Sequence, residues 1–165
     1  MTLDFLPKCL LPWFAENRRA LPWRRDREPY HVWLSEIMLQ QTRVEAVRGY
    51  YERFLAALPT VETLAAAPED RLLKLWEGLG YYSRVRNLQK AAREIVTKHG
   101  GSFPSEYDAV RALPGIGPYT AGAICSICFE MPAPAVDGNV LRVVARLLCM
   151  DAPVTEERTK REVAS

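Results

Sequence analysis

The sequence contains little cysteine, little histidine and no long apolar segment. Its 165 residues include four Cys and two His, and four Cys in a chain of this length do not form a disulfide scaffold. The longest weakly polar stretch, residues 120–129, is far shorter than the roughly 20 residues that span a bilayer. The nine Gly and twelve Pro are dispersed, which excludes collagen and proline-rich linkers. A folded protein without a membrane segment is therefore expected.

The first thirty residues mix acidic and basic side chains and contain no apolar run that ends in a small-residue cleavage site. The sequence therefore predicts no signal peptide and an intracellular protein. Cys125 and Cys128 form a C-x-x-C motif, but the motif lies in an apolar stretch with helical spacing. This setting favours two buried thiols over a metal or redox pair. No metal site is predicted within residues 1–165.

The net charge of +2, from 22 basic and 20 acidic residues, does not by itself indicate a nucleic-acid partner. The type and the placement of the basic residues are more informative. Seventeen of them are Arg, which suits bidentate phosphate contacts, and two clusters lie in residues 18–27 and 81–100. On charge alone, two solvated surfaces are the favoured interpretation of these clusters.

Apolar residues recur at helical rather than alternating spacing along the whole chain. The pattern predicts an all-α fold of ten short helices with tight links and no repeat of fixed period. The predicted helices cover approximately residues 6–17, 30–41, 44–58, 61–66, 68–78, 83–99, 105–112, 118–129, 137–149 and 155 onward.

A glycine-rich turn separates two of these helices, where residues 113–124 read LPGIGPYTAGAI. Because they lack Cβ, Gly115 and Gly117 allow backbone N–H groups to approach an anion closely. Pro118 begins the next helix, and the positive end of that helix dipole also favours an anion. A DNA phosphate is a natural partner, although a glycine pair alone also fits a simple helix–helix turn.

Two acids stand out by their surroundings. Glu36 has Trp33, Ile37 and Met38 as neighbours, and an apolar environment raises the pKa of a carboxyl group. Asp137 precedes a predicted helix, where an N-cap is the ordinary interpretation. Two such acids could act as proton donor and charge stabiliser in the cleavage of a glycosidic bond. Their spacing in sequence does not show whether they meet.

Several strings together resemble one superfamily of DNA repair enzymes. The hairpin, followed by residues 136–140 as VDGNV, resembles the helix-hairpin-helix-Gly/Pro-Asp DNA glycosylases. Within that superfamily, the strings at 21–24 (LPWR), 35–42 (SEIMLQQT) and 78–84 (GLGYYSR) resemble the MutY-type adenine DNA glycosylases. The resemblance extends over nearly all 165 residues.

The resemblance implies a helix-hairpin-helix DNA glycosylase fold. Residues 24–129 would form a six-helix domain whose helix-hairpin-helix lies at about 106–129. Residues 1–23 and 130–165 would form an incomplete second domain, of the iron–sulfur type, which carries the catalytic Asp.

The activity implied by the resemblance is that of a monofunctional DNA N-glycosylase in base excision repair. It would hydrolyse the N-glycosidic bond of adenine opposite 8-oxoguanine or guanine in double-stranded DNA, after flipping the adenine out of the stack. Glu36 matches the acid that protonates adenine N7, and Asp137 matches the carboxylate that stabilises the sugar cation. Asn139 matches a polar residue beside that Asp. Tyr119 stands where bifunctional relatives carry a Schiff-base Lys.

The resemblance also assigns contacts to DNA. Gln41 and Tyr81 match residues that wedge into the base stack around the lesion pair. The other expected DNA-binding residues are Arg24, Thr42, Arg84, Gly115 and Gly117. The protein is expected to be a monomer and, in a bacterium, to be cytoplasmic or associated with the nucleoid.

The family's cofactor is a [4Fe-4S] cluster held by four Cys at the spacing C-x6-C-x2-C-x5-C after the catalytic Asp. Only Cys149 follows Asp137 in this chain. The resemblance therefore implies that the cluster ligands lie beyond Ser165 and that the sequence is a fragment.

Two alternative functions remain open from the sequence. A thymine glycosylase of the same superfamily, acting on G·T pairs, can also carry Tyr in the hairpin. A truncated module that binds DNA without cutting it is the second alternative. The combination of Glu36 with the Gln40–Thr42 string favours adenine as the substrate base.

Overall fold

The computed structural model describes residues 5–164, and all regular secondary structure in that range is helical. No strand occurs among those residues, which confirms the all-α class. No helix in the same range is both long enough and apolar enough to cross a bilayer. The helices are α1 Leu6–Asn17, α2 Pro29–Leu39, α3 Val44–Ala57, α4 Val61–Ala66, α5 Glu69–Trp76, α6 Ser83–His99, α7 Tyr107–Ala112, α8 Pro118–Phe129, α9 Gly138–Leu147 and α10 Glu157–Ala164, with a 3-10 turn at Pro22–Arg24.

The chain divides into two compact units. The larger unit, Pro22–Asp137, contains the 3-10 turn and helices α2 to α8, whereas the smaller contains α1, α9 and α10. The segment 130–137 is thus grouped with the larger unit, whereas the resemblance implies that it belongs to the second domain. The domain boundaries that the resemblance implies stay a prediction.

Helix α2 lies at the centre of the larger unit and packs against α3, α6 and α8. Pro29 begins the helix at a position where its missing N–H is no loss. Seven of the eleven residues of α2 are buried, and Trp33 packs edge-to-face on Phe103 with ring centroids 5.4 Å apart. Because α2 is apolar on most sides, Glu36 on the same helix is partly enclosed.

Helix α6 packs mainly on α4. The buried Gln89 donates hydrogen bonds from Nε2 to the carbonyl oxygens of Leu64, at 3.3 Å, and Ala67, at 2.6 Å. The Leu64 carbonyl oxygen also accepts a bond from the Ala67 N–H at 3.3 Å, and the carbonyl group of Ala67 lies just beyond the end of α4, where helical partners are lacking. Leu88 and Ile95 complete a fully buried face. The other end of α6, near Arg84, follows the 77–82 loop and belongs to the site described below.

The smaller unit buries fewer side chains. Helix α9 contacts α10, and Ala145 on α9 and Thr159 on α10 are buried. Helix α1 has no buried residue, and its Leu11 and Trp13 side chains are more than half exposed.

Candidate active site and DNA interface

The hairpin between α7 and α8 is closed by its own backbone. The Ile116 N–H donates to the Leu113 carbonyl oxygen at 3.1 Å, and Arg111 Nη1 donates to the Ile116 carbonyl oxygen at 2.9 Å. Pro118 is the first residue of α8, and the two helices pack on each other. The predicted helix-hairpin-helix is therefore observed.

The two hairpin glycines have different structural requirements. Gly115 has a φ of +78°, and a Cβ there would lie 2.8 Å from Asn87 Cβ. Gly117 has an extended backbone with φ at −87°, and a Cβ there would meet nothing within 4 Å. The fold thus requires glycine at 115 but not at 117. The open space beside Gly117 would allow an external phosphate to approach its backbone closely.

Because Gly115 is required by the fold and Gly117 is not, substitutions at the two positions should affect different properties: stability at 115 and DNA binding at 117. Gly115→Ala should lower the free energy of unfolding by roughly 1–3 kcal/mol, because the new methyl group clashes in a left-handed conformation. Gly117→Ala should leave the unfolding free energy within about 0.5 kcal/mol and weaken duplex binding roughly tenfold. Denaturant melts and fluorescence anisotropy measure the two effects. If Gly117→Ala binds DNA as tightly as the parent does, the backbone near Gly117 does not contact a phosphate.

Three residues act on the carboxyl group of Glu36, one through a hydrogen bond and two through their charges. Burial raises the pKa of Glu36, a hydrogen bond from the Tyr119 hydroxyl lowers it, the Asp137 charge raises it and the Arg24 charge lowers it, with a net rise. The packing of α2 on α8 brings Glu36 and Tyr119 together. The structure thus places Glu36, Asp137 and Tyr119 in one cluster, with Arg24 beside it. A carboxyl group with a raised pKa is suited to donate a proton near neutral pH.

Tyr119 is the second residue of α8, and its ring is 38% exposed. Burial, followed by the charge of Glu36 and the hydrogen bond to it, raises the pKa of Tyr119 to about 12. The phenol is therefore neutral at physiological pH, and its hydroxyl donates a hydrogen bond to the carboxyl group of Glu36. The sequence did not reveal this hydrogen bond, because 83 residues separate the partners.

Gly122 allows the segment that ends at Asp137 to lie against α8. It is buried in the helix, and a Cβ there would lie 2.1 Å from the Pro134 carbonyl oxygen and 2.8 Å from the Pro134 carbonyl carbon. Only glycine permits this approach of backbone to helix. No role was predicted for Gly122 from the sequence, although a glycine inside an apolar helix often marks close packing.

The two predicted wedge residues share an unusual backbone conformation. Gln41 follows α2 with a φ of +58°, and Tyr81 precedes α6 with a φ of +47°. Left-handed backbone is uncommon for residues other than glycine and is often found at functional sites. Both side chains are exposed, Tyr81 by 65%. Thr42 continues the turn after α2, with its hydroxyl donating to the Gln40 carbonyl oxygen at 3.3 Å.

Arg84 lies between two segments, the end of α2 before Gln41 and the loop before Tyr81, which we call the wedge segments. Its Nη1 donates to the carbonyl oxygens of Ile37, at 2.9 Å, and Gln40, at 2.5 Å. Its Nη2 donates to the carbonyl oxygen of Leu79 at 3.0 Å. The contact of Arg84 with DNA stays a prediction, and these bonds show that its guanidinium is directed into the protein.

Asn139 is the second residue of α9 and belongs to the smaller unit. Its predicted place beside the catalytic carboxylate stays a prediction, as do the catalytic and DNA-binding roles of the other site residues.

The cysteines do not fit a [4Fe-4S] cluster. Cys125 is buried, and burial, with a contribution from the charge of Glu28, raises the pKa of Cys128 to about 12. A cluster requires thiolates, which these environments disfavour. Cys9 and Cys149 are exposed. Within residues 5–164 no group of three or more His, Cys, Asp or Glu side chains could hold a metal ion.

Comparison with known proteins identifies the family of the chain. Residues 34–165 match the family described as HhH-GPD superfamily base excision DNA repair protein. The chain belongs to the HhH-GPD superfamily. Among curated relatives, the adenine DNA glycosylase of Rattus norvegicus is 46% identical over 155 residues, covering 88% of this chain and 30% of the relative. The chain spans less than half the length of the curated adenine DNA glycosylases that it resembles.

Solved structures of HhH-GPD proteins share the fold. A thermostable thymine-DNA glycosylase superposes with a TM-score of 0.80 at 30% identity, covering 86% of this chain and 65% of that one. Endonuclease III in a trapped covalent intermediate with DNA superposes with a TM-score of 0.78 at 27% identity, covering 100% of this chain and 79% of that one. These similarities confirm the helix-hairpin-helix DNA glycosylase fold.

Proposed function

We propose that this HhH-GPD protein is a monofunctional adenine DNA glycosylase of base excision repair, which hydrolyses the N-glycosidic bond of adenine opposite 8-oxoguanine or guanine in duplex DNA. The observation that supports it most is the cluster in which the Glu36 carboxyl group, with its raised pKa, accepts a hydrogen bond from Tyr119 near Asp137. Similarity to curated adenine DNA glycosylases supports the choice of base.

In the proposed reaction, protonated Glu36 donates its proton to N7 of a flipped adenine. The electrons of the glycosidic bond leave with the base, and the negative charge of Asp137 stabilises the sugar cation that remains. Asn139 is proposed to orient Asp137. Water then adds to the sugar carbon and releases the proton that restores the enzyme. Tyr119 carries no amine, so no Schiff base forms.

The proposed partner is double-stranded DNA, bound by a monomer inside the cell, in the cytoplasm or nucleoid of a bacterium. The N–H groups near Gly115 and Gly117 would bind a phosphate, and Arg24 and Thr42 would add contacts. Gln41 and Tyr81 would enter the base stack and replace the stacking that is lost on flipping. The [4Fe-4S] cluster implied by the family resemblance would take its ligands from outside residues 1–165.

Thymine in a G·T pair is the second candidate substrate, because a solved thymine-DNA glycosylase has the same fold at 30% identity. A substrate panel decides between the two bases. The full-length protein is incubated in excess with duplexes that contain A·8-oxoguanine, A·G, A·T or T·G. We expect adenine excision from the first two only. Thymine release from T·G without adenine release would support the second candidate, and binding without excision would indicate a DNA-binding module.

The same assay tests the monofunctional mechanism. The expected product is an abasic site, with strand breakage only after alkali or heat, because the phenol of Tyr119 cannot attack the sugar as an amine does. Borohydride should trap little covalent complex with the parent protein, and Tyr119→Lys should create some trapping. Efficient trapping by the parent would contradict this role of Tyr119.

A further inference from the structure

The guanidinium of Arg84 joins two segments that are separate in sequence. On one side Nη1 is bonded to the carbonyl oxygens of Ile37 and Gln40, at the end of α2. On the other side Nη2 is bonded to the carbonyl oxygens of Leu79, at 3.0 Å, and Gly80, at 3.4 Å. Gln41 follows the first segment directly, and Tyr81 follows the second. One side chain thus connects the backbones that carry both wedge residues.

Ring contacts add to this connection. The central carbon of the guanidinium lies 5.6 Å from the centroid of the Tyr81 ring and 5.4 Å from that of Trp76. Trp76 is fully buried, and its indole Nε1 donates to the Gly80 carbonyl oxygen at 3.0 Å. The Arg84 side chain is therefore held between a rigid core residue and the exposed ring of Tyr81, within the distance at which cation–π attraction operates.

The terminal nitrogen atoms of Arg84, Nη1 and Nη2, already donate hydrogen bonds within the protein. Nη1 reaches three carbonyl oxygens, those of Ile37, Met38 and Gln40. Nη2 reaches two, those of Leu79 and Gly80. Nε is buried and has no hydrogen-bond partner within residues 5–164. A residue that neutralises a DNA phosphate needs free donors on the surface, and those of Arg84 point inward. Only the fork of an Arg can bond both segments at once, because a Lys ammonium is a point donor.

We infer that Arg84 is a positioning residue that fixes Gln41 and Tyr81 relative to each other, and thereby sets the discrimination between mispaired and matched DNA rather than the general affinity for DNA. This inference rests on the proposed function, in which Gln41 and Tyr81 enter the base stack. Both residues have left-handed backbones, which persist only when surrounding contacts hold them. The bonds of Arg84 to the carbonyl groups of Gln40 and Gly80 supply such contacts.

The test compares Arg84→Ala and Arg84→Lys in the full-length protein with a matched control, Arg71→Ala. Arg71 on α5 also donates to a backbone carbonyl oxygen, that of Ala57 at 3.0 Å, but it lies on neither wedge segment. Affinities for A·8-oxoguanine and A·T duplexes are measured at one salt concentration. Fluorescence of 2-aminopurine beside the lesion reports unstacking, and thermal melting reports the fold.

Arg84→Ala should keep the affinity for the matched duplex within about twofold and lower the ratio of mispair to matched affinity about tenfold, a typical size for coupled contacts. The 2-aminopurine signal should fall in parallel. Arg84→Lys should resemble Arg84→Ala, and Arg71→Ala should resemble the parent. In a background with Gln41→Ala and Tyr81→Ala, Arg84→Ala should change the ratio little, because the residues through which it acts are gone.

Equal weakening of both duplexes by Arg84→Ala would make Arg84 a phosphate contact and overturn the inference. The inference would also be overturned if Arg84→Ala lowered the ratio of mispair to matched affinity by the same factor in the background with Gln41→Ala and Tyr81→Ala. If Arg84→Ala does not fold, Arg84→Lys decides, and an unchanged ratio in that variant overturns the inference. A parent protein that neither prefers the mispair nor excises adenine refutes the proposed function itself. If the parent excises adenine but the Arg84 variants keep the parent's ratio of mispair to matched affinity, only the role of Arg84 is refuted.

Discussion

Glu36→Gln is expected to lower the single-turnover rate of adenine excision by at least about 100-fold in the full-length protein, while the affinity for mispaired DNA is retained. The amide has nearly the shape of the carboxyl group but carries no acidic proton. Rapid-quench excision assays and anisotropy measure the two quantities. Excision at the parent rate would remove Glu36 from the mechanism.

The same variant should be more heat-stable than the parent at neutral pH. Burial raises the pKa of Glu36 above its ordinary value of 4.5, so the folded state binds the proton more tightly than the unfolded state does. The stability from this group is fully present below pH 4.5 and is lost as the pH rises through the raised pKa. Melting temperatures of Glu36→Gln and the parent should therefore diverge as the pH rises from 4.5 through the raised pKa of Glu36. Parallel curves over that range would contradict the burial argument.

Tyr119→Phe is the matched control for Glu36→Gln, because it keeps the carboxyl group of Glu36 and changes only its pKa. It removes the hydrogen bond that lowers the pKa of Glu36. The pKa of Glu36 should therefore rise further, and the decline of the excision rate on the alkaline side should move to higher pH. Glu36→Gln removes the group that titrates, so its residual rate should show no such decline.

Gly122→Ala should lower both the stability of the protein and the rate of adenine excision. The new Cβ would lie 2.1 Å from the Pro134 carbonyl oxygen, and a backbone atom cannot give way as a flexible side chain can. The segment leading to Asp137 must move, with an expected loss of roughly 1–3 kcal/mol in unfolding free energy and at least about tenfold in excision rate. Denaturant melts and single-turnover assays measure both.

Gly49→Ala is the control, because Gly49 also lies inside a helix, α3. The nearest atom to its new Cβ is the terminal Nη1 of Arg53 at 3.2 Å, which can move at little cost. Alanine should therefore stabilise α3 by about 0.5–1 kcal/mol. Equal stability changes at positions 49 and 122 would show that close packing at Gly122 is unimportant.

Local features of the fold followed from the sequence. The predicted helices over residues 83–99 and 118–129 agree with α6 and α8, because their apolar spacing and the Pro at the start of α8 act within one turn of chain. Helix α2 ends at Leu39 instead of 41. The C-cap residue Gln40 leaves the helical conformation with a ψ of 113°, Gln41 then turns left-handed, and no glycine or proline marks either position.

Long-range contacts could not be predicted from the residues alone. The hydrogen bond between Glu36 and Tyr119 and the approach of Gly122 to Pro134 depend on how α2, α8 and the 130–137 segment pack. Arg84 is the clearest example, since its position in an Arg-rich stretch predicts a surface charge. Only the three-dimensional arrangement shows that its donors face backbone carbonyl groups.

The left-handed backbones at Gln41 and Tyr81 have a consequence for directed evolution. Each costs of order 1–3 kcal/mol in the free protein, and glycine or asparagine would relieve that cost. A library screened for heat resistance alone should therefore enrich Gly or Asn at positions 41 and 81, together with Gln at position 36. Under the proposed function, the survivors would be stable proteins that no longer excise adenine, so a screen for a thermostable catalyst must hold these three codons fixed.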